Sequence, residues 1–266
     1  MPTQDEVSAQ DKERWRILLT EGHRPLRIAH QVFRYLPSAP RCKVCHNPFG
    51  GLGGKLVGLF GFRRSRKNPN LCTNCCDTLP AGGAELDVAI LFADVRGSTA
   101  MGERLEPGAY AAAMNRFYNA ATEVLVRNDA IIDKLIGDEV MALFIPGICG
   151  PEYHRRAAEA ALALLRTVGY GRSADPWMPI GIGVNSGLTY VGNVGGEGIV
   201  DFTALGDAVN TASRFAASAA PGEAILSEPI YDTVSAKLPN LERRTLSIRG
   251  KEAPLPVRVL RSPLLN

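Results

Sequence analysis

An α+β fold is predicted by three observations. A largely apolar run, Leu86–Ala93, broken only by Asp87, opens the C-terminal two thirds of the chain. Segments with apolar residues at helical spacing alternate there with short apolar runs of strand length. A tight-turn signal, Ile136-Gly137-Asp138-Glu139, joins two of those runs. The composition agrees: of 266 residues, 45% are hydrophobic and 21% charged. These proportions are ordinary for a globular protein and exclude collagen, coiled coil and wholesale disorder. The longest uninterrupted apolar run, Val88–Ala93, falls far short of the about 20 residues a membrane helix needs. No membrane span is expected. Asp5, Glu6, Asp11 and Glu13 occupy the N-terminus, where a secretory leader would be apolar. A cytoplasmic address is the expectation.

The elements follow in order. Leu86–Ala93 reads as a buried strand. Residues 107–127 read as a long helix opened by Pro107, with Tyr110, Met114, Phe117, Ala121 and Leu125 on one face. Ala130–Leu135 and Val140–Phe144 read as strands flanking the turn. Residues 152–168, rich in Ala and Leu, read as a second helix. Strands are expected at 179–185 and 188–194, with another ending near Thr203. Gly206–Ala217 reads as a third helix. The tail holds a strand (Ala224–Ser227), a helix (Pro229–Lys237) and strands near 242–248 and 256–260. Strand, helix, two strands, helix, strand is a ferredoxin-like βαββαβ order, with helices expected on one sheet face. This domain is assigned to residues 85–262.

The N-terminal third has another character. Residues 1–84 carry 13 Lys/Arg against 6 Asp/Glu, and the remainder carries 17 against 21. A basic segment joined to an acidic domain indicates a composite chain. The basic part is read as solvated surface, and nucleic acid is not expected as a partner. Residues 1–40 form a helical segment. Within it, 6–20 read as a short polar helix. Residues 24–36 read as an amphipathic one, with Leu26, Ala29, Val32, Phe33 and Leu36 on a single face. Pro37 and Pro40 end it. That stripe is expected to pack on the rest of the protein or on a second copy.

Residues 41–80 form a small zinc-ribbon-like module. Cys42 and Cys45, then Cys72 and Cys75, are CxxC pairs, and each pair can grip one ion from a tight turn. Four thiolates make a closed tetrahedral zinc site. An iron–sulfur cluster is the alternative. His46 and Cys76 are adjacent spares. The Gly-rich, basic stretch between the pairs reads as a loop or hairpin that cannot build its own core, so metal binding would supply folding energy. Pro80-Ala81-Gly82-Gly83 reads as a linker.

Two carboxylates stand out. Asp94 closes the first strand, and Asp138 lies in the hairpin turn. A carboxylate at the end of a buried strand is costly unless it is paired or ligates a cation. In a ferredoxin-like sheet both reach one place. Two Asp without His or Cys nearby suit a hard cation, Mg²⁺ or Mn²⁺, which usually arrives with phosphates. Gly97-Ser98-Thr99 opens a turn whose backbone N–H groups can take those phosphates.

These residues spell a family. Phe92-Ala93-Asp94-Val95-Arg96-Gly97-Ser98-Thr99 resembles the first metal motif of class III nucleotidyl (adenylyl/guanylyl) cyclases. Lys134-Leu135-Ile136-Gly137-Asp138 is similar to their second. Gly192-Asn193-Val194-Gly195 and Phe202–Arg214 resemble their base and transition-state motif, and Ile248-Arg249-Gly250-Lys251 their terminal phosphate motif. The resemblance covers roughly residues 86–260. It implies two metal ions on Asp94 and Asp138, with the Val95 carbonyl assisting. It implies base contacts from Lys134 and Thr203, ribose orientation by Asn210, and Arg214 on the α-phosphate. Arg249 or Lys251 would contact the γ-phosphate. Two departures are visible. Thr203 stands where Asp is commonest, although a Thr-bearing subset of adenylyl cyclases exists. Arg249 stands where Lys is usual. The implied activity is conversion of ATP to 3′,5′-cyclic AMP and pyrophosphate in a head-to-tail homodimer, whose partners share each site. A cyclase of UTP, CTP or GTP, a diguanylate cyclase and a non-catalytic nucleotide sensor are the rivals.

Overall fold

The computed structural model describes residues 9–20, 42, 47–59, 61, 63–65, 70–77, 82–172, 175–196, 199–251 and 253–262. The expected helix 24–36, Cys45 and His46 lie outside them, and so does the side chain of Cys76. The helices are α1 (Ala9–Thr20), α2 (Gly51–Gly58), α3 (Thr73–Asp77), α4 (Ser98–Arg104), α5 (Pro107–Arg127), α6 (Pro146–Cys149), α7 (Tyr153–Val168), α8 (Asp207–Ser218) and α9 (Glu228–Asp232). The strands are β1 (Gly82–Val95), β2 (Ile131–Ile136), β3 (Glu139–Phe144), β4 (Ile180–Gly196), β5 (Ile199–Leu205), β6 (Glu223–Ser227), β7 (Glu242–Leu246) and β8 (Leu255–Arg261).

The strands form one mixed sheet in the order β2-β3-β1-β4-β6-β8-β7, with β5 paired to β4. The segment β1-α5-β2-β3-α7-β4, with spatial order β2-β3-β1-β4, is the ferredoxin-like core. Its neighbours are antiparallel, and β6 adds in parallel beside β4. The outer strands β8 and β7 extend the sheet as an antiparallel pair.

Helices do not lie on one face alone, contrary to the expectation. Ala89, Leu91, Ala93 and Val95 of β1 pack with α5 and α7, through Phe117, Ala121, Leu164 and Leu165. Val88, Ile90 and Phe92 pack on the opposite face with Ala208, Ala212 and Ala216 of α8 and with Trp15 and Leu19 of α1. Both faces being covered explains why β1 is apolar at every position from Val88 to Ala93 rather than at alternate ones. The N-terminal helix is therefore part of the second core, although its sequence is mostly polar. Trp15 is fully buried and stacks on Phe202 of β5, with ring centroids 6.2 Å apart.

Four further boundaries differ from expectation. The strands expected at 179–185 and 188–194 are one strand of 17 residues, paired with β1 from Val95↔Ile180 to Gly82↔Asn193. Pairing along its whole length overrides Gly187 as a break. Helix α9 ends at Asp232, short of Lys237. Part of the Gly-rich stretch forms helix α2 instead of a loop, and Gly54 seats directly on the Phe49 backbone. The short helix α4 follows Gly97 and carries no apolar periodicity that would announce it.

One ion-pair cluster holds the added strands. Buried Glu223, at the start of β6, accepts from Arg244 of β7 at 2.9 and 3.0 Å and from Arg261 of β8. The Ala220 N–H also donates to it, at 3.1 Å. Arg244 above all holds the Glu223 carboxyl down at about 2, against burial. A depressed carboxylate contributes stability that is complete above its unfolded value and lost as pH falls through the folded one. Glu223→Gln is expected to cost about 3 kcal/mol at pH 7. It should also flatten the acid limb between pH 4.5 and about 2. Thermal melts across that range check both.

Candidate active site

The end of β1 and the β2–β3 turn are stitched together. Asp94 pairs with Glu139 across the strands, and the Val95 N–H donates to the Asp138 carbonyl at 3.1 Å. The turn is a two-residue loop with positive φ at Gly137 only (60°), the pattern in which Gly leads. The Tyr118 hydroxyl braces it by donating to the Gly137 carbonyl. The Ser98 hydroxyl donates to the Asp138 carboxylate, so the start of α4 is tied to the same turn. Gly97, at φ 73°, makes the left-handed step that lets α4 begin at Ser98. The first N–H groups of a helix have no partner within it, and Ser98 and Thr99 begin this one.

The acidic groups crowd one another. Burial above all raises the Asp94 carboxyl, with Arg96 opposing and Asp138 adding to the rise. Burial pushes Glu139 up to about 7, and Asp94 and Asp138 contribute. Arg96 is the nearest counter-charge, at 3.4 Å from Asp94. Its other terminal nitrogen donates to the Ala216 carbonyl of α8, while its buried Nε has no partner. All-oxygen donors that repel each other in this way fit a hard divalent cation.

A second group lies on β2 and β5. Lys134 Nζ donates to Thr203 Oγ1 at 2.8 Å and to Asp133 Oδ1 at 3.1 Å, and pairs with Asp201 at 3.1 Å. All three ammonium protons therefore face protein oxygens. Burial opposes the Lys134 charge, but Asp133 and Asp201 outweigh it and hold its pKa above the ordinary value.

A third group lies on α8. Asn210 is exposed and Arg214, one turn on, is half-buried. Arg214 reaches the 248–251 turn: a Cβ on Gly250 would sit 3.3 Å from its guanidinium. In that turn Arg249 is exposed, whereas Lys251 is paired with Asp207. Helix α8 lies unusually close to the sheet. Gly181, Gly183 and Gly187 recur at every second or fourth position of β4 on the face beneath it. Asn185, between them, donates to the Ala208 carbonyl at 3.0 Å. No hydrogen bond or ion pair among the described residues joins Asp94 or Asp138 to Lys134, Asn210 or Arg214. The predicted residues thus fall into separate groups on one chain.

The thiol sulfurs of Cys42, Cys72 and Cys75 lie within 4.8 Å of one another. Cys42 Sγ accepts from the Cys72 N–H at 3.3 Å, and Cys72 Sγ from the Cys75 N–H at 3.3 Å. The first cysteine of one CxxC pair thus meets both cysteines of the other. The module contacts the catalytic domain through buried Asn70, which donates to the Ala130 carbonyl at 2.5 Å.

Sequence reasoning missed Arg96, Asp133, Glu139 and Asp201. Arg96 and Glu139 adjoin the predicted Asp94 and Asp138, and that adjacency was the available signal. Asp133 sits inside an apolar strand, where a buried acid is rare enough to merit a question.

Residues 84–257 match the family described as the adenylate and guanylate cyclase catalytic domain. An adenylate cyclase of Anabaena cylindrica is 35% identical over 131 residues, 48% of this chain and 26% of that protein. The chain spans about a quarter to a third of the length of that protein and of a Mycobacterium bovis relative 29% identical over 182 residues. Among solved structures, the adenylyl cyclase CyaB from P. aeruginosa superposes with a TM-score of 0.58 at 26% identity, covering 68% of this chain and 98% of that one. The guanylyl cyclase Cya2 gives 0.59 at 24%, covering 67% and 93%. No helix among the described residues is long and apolar enough to cross a membrane. With the fold, the sheet order and two thirds of its length in agreement, this chain belongs to the adenylate and guanylate cyclase catalytic domain family.

Proposed function

We propose that the protein is an adenylate cyclase that converts ATP to 3′,5′-cyclic AMP and pyrophosphate at sites shared between two copies of the chain. The ribose 3′-hydroxyl attacks the α-phosphorus as its proton passes to water, and the bond from that phosphorus to the oxygen bridging to the β-phosphate breaks, releasing pyrophosphate. Asp94 and Asp138, with the Val95 carbonyl, would hold two Mg²⁺ or Mn²⁺ ions. When bound, such ions stabilise charge on the attacking and leaving oxygens. The open N–H groups at Ser98 and Thr99 receive phosphate oxygens. Arg214 aims positive charge at the α-phosphate, where negative charge develops. Asn210 orients the ribose, and Arg249 supplies charge for the γ-phosphate. Lys251 can add to it only by leaving Asp207.

The observation that carries the adenine reading is the 2.8 Å bond between Lys134 and Thr203. It puts a donor and a hydroxyl side by side on β2 and β5. The dimer reading rests on the lack, among the described residues, of any bond from this pair, Asn210 or Arg214 to the metal carboxylates, and on apolar side chains left in water beside the pair: Ile136 (54% exposed) after Lys134, and Leu205 (49%) after Thr203. A second copy would cover them. Mass spectrometry of the products formed from ATP, GTP, CTP and UTP in turn, with Mg²⁺ or Mn²⁺, tests the reading. Cyclic AMP from ATP is expected. Cyclic GMP or a cyclic pyrimidine nucleotide as the main product overturns the substrate.

The three converging thiols support a structural zinc site completed by Cys45. A colourless protein with one zinc per chain is expected, and Cys72→Ser should lose the ion and melt at lower temperature. Visible absorption from an iron–sulfur cluster would replace zinc as the occupant.

A further inference from the structure

We propose that Asp133 sets base selection by fixing the Thr203 hydroxyl as a hydrogen-bond acceptor, an inference that rests on the adenylate cyclase reading. In β2, Ile132 pairs with Ala142 and Lys134 with Met141, so Asp133 is the extra residue of a β-bulge. A regular strand would send residues 133 and 134 to opposite faces. The bulge turns both side chains toward Thr203. Asp133 has no exposed side-chain surface, and its Oδ2 accepts from Thr203 Oγ1 at 2.7 Å. Lys134 Nζ, which can only donate, gives a proton to that same oxygen at 2.8 Å. The one hydroxyl proton of Thr203 is therefore spent on Asp133, and one bond is accepted from Lys134. Only a lone pair is left to read a base. It matches the exocyclic amino group of adenine, a donor, and opposes the O6 of guanine, an acceptor.

The test measures binding of 3′-deoxy-ATP and 3′-deoxy-GTP, which cannot cyclise, by calorimetry with Mn²⁺, alongside kcat/KM for ATP and GTP. Asp133→Asn lets the amide donate to Thr203 and frees the hydroxyl proton. The adenine-over-guanine ratio is expected to fall roughly tenfold or more. It should not fall further when Asp133→Asn is added to Thr203→Val. It should return in Asp133→Asn/Thr203→Asp, where a carboxylate accepts without help. An unchanged ratio, or an equal fall on the Thr203→Val background, overturns the proposal while the adenylate cyclase reading stands. A wild-type preference for the guanine analogue overturns both. Adenine preference in binding without cyclic AMP formation overturns the activity alone, and the binding ratios still decide the role of Asp133.

A separate set of observations concerns the N-terminal module. We infer that it docks on an anionic lipid surface. Leu52, Leu56 and Leu59 follow at i, i+4 and i+7, one flank of α2 and its C-cap, and are 85%, 65% and 84% exposed. Lys55, Arg63 and Arg64 are exposed beside them. Residues 22–76 hold ten Lys/Arg and no Asp or Glu. A leucine ridge in a cation-rich, acid-free segment suits acyl chains beneath anionic headgroups, whereas phosphates alone would leave the leucines in water. Sedimentation with phosphatidylcholine vesicles, with and without phosphatidylglycerol, tests it on the full chain. Binding to the anionic vesicles is expected. It should drop at least about tenfold in Leu52→Ser/Leu56→Ser/Leu59→Ser, and weaken with salt. No vesicle binding, undiminished binding by the triple variant, or leucine-dependent self-association in its place overturns it. So does binding to single-stranded DNA alone.

Discussion

An Asp94→Ala chain and an Asn210→Ala chain are each expected to lose at least about 10²-fold in cyclase activity. Mixed in equal amounts and allowed to exchange, they are expected to recover about a quarter of the wild-type rate. Half of the dimers would then be mixed, and one of the two sites in each would carry both intact groups. The expectation follows from where the residues sit. Asp94 and Asp138 share the β1 end and the hairpin turn, tied by the Val95–Asp138 backbone bond. Asn210 and Arg214 sit on α8, beside the 248–251 turn. A mixture of Asp94→Ala with Asp138→Ala is the control. Both lesions fall in the same half, and no dimer of these chains has a whole site. Cyclic AMP production and pyrophosphate release read the outcome. A mixture as inactive as its components overturns the shared site, and recovery in the control overturns the assignment of halves.

The sequence made the scaffold legible wherever one face of an element is buried. Helix α5 is bounded as expected, since Pro107 starts it and its apolar stripe persists to Leu125. The β2–β3 hairpin is as expected because Gly137-Asp138 dictates a two-residue turn. The covering of the second sheet face was hidden. Its helix side is largely alanine and its β4 side glycine, and periodicity shows that α8 has an apolar face without showing on which side of the sheet that face packs. Trp15 was hidden for another reason: a mostly polar helix can be anchored by two residues. The candidate site, Asp94, Asp138, Lys134, Thr203, Asn210 and Arg214, is named by motif resemblance alone, since periodicity does not single these residues out as a group. Asp133 escaped because alternation places it opposite Lys134. Only the bulge, which has no signature in these residues, brings the two side chains together.

Gly183→Ala is expected to cost about 3 kcal/mol or more, lowering the melting temperature by roughly 10 °C. A Cβ at this position would run into the Ala212 carbonyl and the Ala216 nitrogen, and would lie 2.8 Å from Phe215 Cβ. Two of these are helix backbone, which cannot step aside as a flexible side chain can. Gly183 is also central in β4, paired with Phe92 on one side and Ile225 on the other, so the strand cannot withdraw. Relief has to come from lifting α8, which opens the alanine seam under Ala208, Ala212 and Ala216 and shifts Asn210 and Arg214. Activity should therefore fall further than the loss of folded protein explains, with kcat falling more than KM rises, because Arg214 acts on charge that develops in the reaction. Gly187→Ala is the graded comparison. Its nearest neighbour is the Ala208 methyl at 3.2 Å, a side-chain contact near the helix start, and about 1 kcal/mol is expected. Equal melting temperatures and rates for Gly183→Ala and the wild type would show that α8 does not rest on this strand as closely as described.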